Sequence, residues 1–207
     1  MKRNMYCTTP CFAITPYGTL AMTLPNRLTL TRFSLTVLFV VATESPFRWN
    51  MTLALIFFTL AVLTDYLDGM LARRWNLVTN FGILMDPLAD KVLNASAFIL
   101  LVVYADLPPW IVIVIIAREF LITGLRLLAG NKGVILPAEQ LGKHKTIWQM
   151  MTIFFFLILT AFLEWPIRLA WWVPVWIHGG WMLIIATMIL SLYSGLDYLW
   201  RNRLLLS

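Results

Sequence analysis

The chain reads as an all-α integral membrane protein of six transmembrane helices, and three observations predict that class. Hydrophobic residues fill 60% of its 207 positions and charged residues only 13%, whereas soluble domains hold about half apolar and about 25% charged residues. Mean hydropathy is +0.80, and the apolar residues fall in long runs parted by short polar stretches, the pattern of helices that cross a bilayer. Basic residues gather at the ends of those runs, on alternate loops, as the positive-inside rule requires. The 10 tryptophans suit the same class, because indole rings anchor at membrane interfaces.

The first span is expected over about 28–42. Pro25 and Asn26 precede it. Proline suits a first helical turn, where its missing N–H has no partner to lose, and the stretch it opens is expected to lie as a helix in the interface ahead of the span. The second span, about 51–72, follows the polar stretch SPFRWN and stops at Arg73 and Arg74. The third covers about 82–104. Leu107-Pro108-Pro109-Trp110 reads as an interfacial turn opening the fourth span, about 109–128, which ends at Gly130-Asn131-Lys132-Gly133. The fifth covers about 142–163 and the sixth about 174–200.

Lys2, Arg3, Arg27, Arg32, Arg73, Arg74, Lys132, Lys143, Lys145, Arg201 and Arg203 fall on one side of these spans. The opposite loops hold only Arg48 and Arg168, beside Glu44, Asp106 and Glu164. Both termini are therefore expected in the cytoplasm. The net charge of +6 follows from this loop bias, so no nucleic-acid partner is expected, and anionic membrane lipid is the partner that the basic loops attract. Cys7 and Cys11 lack the further ligands of a tetrahedral metal set, and a disulfide does not suit a reducing cytoplasm. Residues 1–21 differ from the rest and are expected to be a disordered tail or a stretch upstream of the natural start at Met22. Residues 22–207 form the membrane domain.

Four of the 10 acidic residues are Asp65, Asp68, Asp86 and Asp90. Charges at membrane depth are costly and mark working sites with partners. Residues three and four apart share a helix face, so Asp65, Asp68, Gly69 and Ala72 form one stripe near the end of the second span. Gly82, Asp86 and Asp90 form another at the start of the third. A short connection lets the stripes face each other, and four converging carboxylates repel unless cations lie between them. All-oxygen ligands favour Mg²⁺ or Mn²⁺, with Ca²⁺ as competitor. Four carboxylates suffice for two metals about 3.5–4 Å apart, the spacing used in phosphoryl-type displacement. The small residues let a bulky ligand approach the backbone, and Arg73 can fork onto phosphate. Simple pairing of the aspartates with Arg73, Arg74 and Lys91 accounts less well for four acids at this spacing. Lys91 itself is expected to snorkel to the interface.

The string D-x2-D-G-x2-A-R-x8-G-x3-D-x3-D, at Asp65, Asp68, Gly69, Ala72, Arg73, Gly82, Asp86 and Asp90, resembles the signature of the CDP-alcohol phosphotransferase family at all of its defining positions. The six-span layout is similar to that family from about Met22 to the C-terminus. The resemblance implies an enzyme that moves a phosphatidyl group from a CDP-linked lipid to an alcohol. It implies two divalent cations, Mg²⁺ or Mn²⁺, on the four aspartates, a CDP headgroup around Asp68, Gly69, Ala72, Arg73 and Gly82, and Asp90 as general base. It also implies a homodimer in the bacterial inner (cytoplasmic) membrane with its active site facing the cytoplasm.

A second basic group concerns the acceptor. Arg118 and Arg126 lie two turns apart on the fourth span, and Lys143 and Lys145 open the fifth. Such a set suits an anionic acceptor such as a phosphomonoester, although lysines at that place also fit ordinary loop flanking. Arg118 and Glu119 are neighbours in sequence, point in different directions on a helix and are expected to need separate partners. The strings IAREFLITGLR, GKHKTIWQM, LPNRLTLTR and YSGLDYLW resemble the members of the family that join CDP-diacylglycerol to glycerol 3-phosphate, which implies Arg118, Arg126, Lys143 and Lys145 as ligands of the acceptor phosphate. Thr146 and Gln149 are candidates for the same pocket. Asn26 and Arg32 are placed to line the nucleotide side, but read better as a helix cap and an interfacial anchor. His144 and His178 lie away from any proton to be moved, and Asp197 with Arg201 reads as a surface pair. Serine, inositol phosphate and phosphatidylglycerol are the alternative acceptors. A prenyltransferase would lack the D-G-x2-A-R continuation, and a cation transporter would be expected to show repeats.

Overall fold

The computed structural model describes residues 24–75, 80–131, 140–165 and 173–201. They form six helices: α1 (Leu24–Glu44), α2 (Asn50–Trp75), α3 (Asn80–Tyr104), α4 (Pro109–Asn131), α5 (Gln140–Glu164) and α6 (Val173–Arg201). Among the described residues there is no strand. Each predicted span lies inside one helix. The expected N-terminal tail lies outside the described residues, whereas the stretch opened by Pro25 is not a separate helix but the first turn of α1. From Leu24 the chain is one continuous helix through Glu44, with Pro25 in its first turn.

At 1.5 Å per residue, the 21 residues of α1 reach about 31 Å, the thickness of a bilayer core. Asn50–Leu67, His144–Glu164 and Trp176–Arg201 are long and apolar enough to cross by composition alone. Charges also lie within the helices, among them Arg27 and Arg32 on α1, Asp65 and Asp68 on α2, Asp86, Asp90 and Lys91 on α3, and Arg118, Glu119 and Arg126 on α4.

Helix α1 packs against α2 and α3, α5 against α2, α3 and α6, and α4 against α3 and α6. The shared core contains Phe39, Phe58, Phe98, Ile115, Ile153 and Ile184. Buried alanines recur about two turns apart, at Ala54 and Ala61 on α2 and at Ala89 and Ala97 on α3. Small residues let helix backbones approach where apolar attraction between helices is weak, because lipid is as apolar as leucine. Gly180 serves the same end on α6, since a Cβ there would lie 2.8 Å from Phe156 Cζ. Val41, Val103, Ile113 and Met182 point outward, while threonines and serines lie inside. Thr152 and Thr187 share a hydrogen bond of 2.7 Å between α5 and α6, a contact that stabilises a membrane helix pair by about 0.6 kcal/mol.

One end of the bundle is tied by Glu164. Its carboxylate accepts from the backbone N–H of Met51 at 2.6 Å, the N–H of Thr52 at 3.0 Å and the Thr52 hydroxyl at 2.7 Å. These are orphan donors at the N-terminus of α2, and the helix dipole favours the negative charge there. Asn50 Nδ2 and the Tyr104 hydroxyl both donate to the Thr43 carbonyl, at 3.0 and 2.8 Å. The α3–α4 connection is tight, with Asp106 at a φ of 52°, a left-handed conformation that aspartate tolerates. Helix α2 leaves this end and carries Asp65, Asp68, Gly69, Ala72 and Arg73 toward the opposite one.

Candidate active site

The aspartate stripes ride on α2 and α3, as the spacing predicts. The side chains of Asp68, Gly69, Ala72, Arg73, Gly82 and Asp86 lie outside the described residues. Those of Asp65 and Asp90 are described. Asp65 is 49% exposed, and its Oδ1 lies 2.5 Å from Nη2 of Arg32, which is only 2% exposed. Arg32 is therefore no interfacial anchor. The α1 helix lies against both α2 and α3 and delivers a buried guanidinium to the first aspartate. Asp90 is half-buried and sits in the electrostatic field of Asp65, Lys91, Arg32 and Glu119. Carboxylates from two helices thus feel each other's charge, and one of them is held by a guanidinium. Two carboxylates under mutual repulsion are hard-oxygen donors of the kind a divalent cation takes, and among the described residues no third ligand joins them.

A second charged centre joins four helices. Glu119 on α4 receives Lys91 Nζ from α3 at 2.8 Å on one carboxylate oxygen. Its other oxygen receives Arg118 Nη1 at 3.1 Å, the Lys145 ammonium from α5, and Gln149 Nε2 at 3.3 Å. The four charged side chains are between 6% and 19% exposed. Arg118 also donates from Nη2 to Ser194 Oγ on α6 at 2.8 Å. The arginine stem crosses α6 at Gly195, where a Cβ would lie 2.9 Å from Arg118 Cγ. A side chain at that position would displace the arginine. Beside Glu119 lies a cavity of about 20 Å³, whose polar lining comes from Lys91, Asn94, Glu119 and Gln149. That is room for about one water molecule, and neither Arg118 nor Lys145 lines it.

Two sequence expectations are corrected here. Lys91 does not snorkel to the interface, because a buried carboxylate within reach competes with it. Arg118 and Glu119 do meet, although they are adjacent in sequence. The long arginine stem turns its fork back onto the neighbouring carboxylate, and both residues keep a further partner on other helices. Of the residues expected to bind the acceptor, Arg118 and Lys145 come together, joined by Gln149. Arg126 is exposed and lies over the ring of Tyr198 at 5.3 Å, and the Lys143 side chain lies outside the described residues. His144 and His178 are both exposed. Asp197 and Arg201 form the expected i,i+4 pair at 3.1 Å. The roles of Glu119 and of Ser194 with Gly195 were not read from sequence. An intramembrane acid was the available signal for the first, and a serine-glycine pair on an apolar helix carries none.

A helical membrane bundle with this aspartate string at one end defines a class of lipid-synthesis enzymes. The chain belongs to the CDP-alcohol phosphatidyltransferase family, whose pattern it matches over residues 22–190, and it is accordingly a transferase. It is 43% identical over 142 residues to the CDP-diacylglycerol–glycerol-3-phosphate 3-phosphatidyltransferase of Bacillus subtilis, across 63% of this chain and 74% of that protein. The Escherichia coli protein of the same name is 35% identical over 182 residues, across 85% of this chain and 92% of its own length. The Salmonella typhimurium protein is 36% identical over the same extent.

Proposed function

We propose that the chain transfers the phosphatidyl group of CDP-diacylglycerol to sn-glycerol 3-phosphate, giving phosphatidylglycerophosphate and CMP. The observation that carries an anionic phosphomonoester as acceptor is the convergence of Lys91, Arg118 and Lys145 on the buried Glu119 carboxylate, with Lys91 next in sequence to the base candidate Asp90. Three cations against the single carboxylate of Glu119 leave two positive charges, and a phosphomonoester brings about −1.5 to −2. The names of the bacterial relatives support the same acceptor.

The acceptor phosphate is held by Arg118 and Lys145, with Arg126 and Lys143 as further candidates. Asp90 takes the proton of the acceptor hydroxyl. The freed oxygen forms a bond to the phosphorus that carries the diacylglycerol. The bond from that phosphorus to the oxygen bridging the two phosphates breaks, and CMP leaves with the electron pair. Asp68, Gly69, Ala72, Arg73 and Gly82 hold the CDP headgroup, the small residues giving it access to the helix backbone. Divalent cations are general to the family. Here Asp65, Asp68, Asp86 and Asp90 would hold two, Mg²⁺ or Mn²⁺, which when bound neutralise the pyrophosphate and the charge on the leaving group. The enzyme works as a homodimer in the bacterial inner membrane, with both termini and the aspartate end in the cytoplasm.

The test is CMP release by purified protein supplied with CDP-diacylglycerol and Mg²⁺ or Mn²⁺, with acceptors offered one at a time. Release with glycerol 3-phosphate alone is expected. Release only with serine, inositol phosphate or phosphatidylglycerol would keep the chemistry and overturn the acceptor.

A further inference from the structure

We infer that Glu119 is a positioning residue for the acceptor site, acting as an internal counter-anion that holds Lys91, Arg118 and Lys145 in place until an anionic acceptor arrives. This rests on the acceptor reading above. Among the described residues, Glu119 is the one group in contact with cations from α3, α4 and α5 at once. Three mostly buried cations would otherwise repel one another, and both lysines would extend toward the headgroups, as lysine stems do when no carboxylate holds them. All three cations already lie on the Glu119 carboxylate, so an acceptor phosphate that takes them up draws them partly off it, which is an exchange of one anion for another. Arg118 is braced for that exchange by Ser194 and by the bare backbone at Gly195.

Glu119 also governs Lys91. The ammonium is drawn across to α4, 2.8 Å from Glu119 Oε2, rather than toward the aspartate that precedes it in sequence. Lys91 follows Asp90 directly in sequence and lies in its electrostatic field, so a lysine released by Glu119 can turn toward that carboxylate. A lysine on that carboxylate would oppose its service as a base and as a cation ligand. One side chain thus links the acceptor pocket to the aspartate end through a single lysine.

The experiment compares full-length wild type, Glu119→Gln and Glu119→Asp, alone and combined with Lys145→Met. It measures kcat and the KM of each substrate, with inorganic phosphate as a competing probe. Glu119→Gln is expected to raise the KM for glycerol 3-phosphate at least tenfold and the inhibition constant of phosphate in parallel, with the KM for CDP-diacylglycerol within twofold of wild type. Glu119→Asp should recover part of the loss. In the Lys145→Met background, the effect of Glu119→Gln should shrink, because the two residues act as a unit. An unchanged or lowered KM for glycerol 3-phosphate, an equal rise in both KM values, or full additivity with Lys145→Met would each overturn the proposal. Should Glu119→Gln fail to fold, the KM pattern and additivity of Glu119→Asp decide in the same way. Wild type that turns over another acceptor instead would sink the acceptor reading, whereas normal wild type with an indifferent variant would sink the role of Glu119 alone.

Discussion

Glu164 and Glu119 are both helix-borne carboxylates that gather several donors, and they differ in what donates. Glu164 holds two backbone amides and a hydroxyl at the start of α2. Those amides cannot move without unwinding the helix, so the contact fixes where α2 enters the bundle. Glu119 holds two ammonium groups, a guanidinium and an amide, all on stems with several rotatable bonds. Such partners can leave for another anion at the cost of a few rotamers. The same acid thus acts as a fastener where its partners belong to the backbone and as an exchangeable hold where they belong to side chains. The end of the bundle near Glu164 is built to stay, and the region between Glu119 and Asp90 is built to rearrange.

Substitutions can break this contrast. The largest effect is expected at Asp90. Asp90→Asn keeps the shape, removes the base and should lower kcat by about 10²–10⁴-fold, with an unchanged melting temperature. Activity near wild type would remove Asp90 from that role. Next comes the arginine at the acceptor centre. Arg118→Ala should raise the KM for glycerol 3-phosphate about tenfold or more, in keeping with about 1.5–3 kcal/mol for hydrogen bonds to charged groups. Gly195→Ala, which crowds the same stem, should raise it by a smaller factor of roughly three to ten. A selective rise in the KM for the CDP-lipid instead would move Arg118 to the nucleotide side. The smallest effect, and the opposite in kind, is expected at Glu164. Glu164→Ala removes a helix cap and should lower stability by about 0.5–2 kcal/mol, read as an earlier thermal transition, while both KM values hold. A changed KM with unchanged stability would erase the distinction between the two glutamates.

Much of this protein could be read along the chain, for local reasons. A membrane helix announces itself by the length of its apolar run, so all six helices fall where hydropathy puts them. The aspartate string could be read as stripes because 3.6-residue periodicity fixes faces without reference to any other helix. Loop charge indicates orientation in the same residue-by-residue manner. Asp197 and Arg201 could be paired from sequence because they lie one turn apart on α6.

Arg32, Lys91 and Glu119 could not be placed in that way. Each was legible as an intramembrane charge, but its partner lies on another helix. Arg32 reads as an anchor until α1 is set against α2 and its guanidinium meets Asp65. Lys91 reads as a snorkelling lysine until α4 brings Glu119 within reach. Ser194 and Gly195 read as ordinary small residues until Arg118 crosses them. Which helix lies beside which, and at what rotation, depends on close packing between surfaces whose apolar side chains look the same whether they face lipid or protein. The sequence by itself therefore determined the helices, their all-α class and the family of the chain. Only the tertiary structure decided which charges meet, because burying a cation at membrane depth forces it onto whatever anion the neighbouring helix supplies.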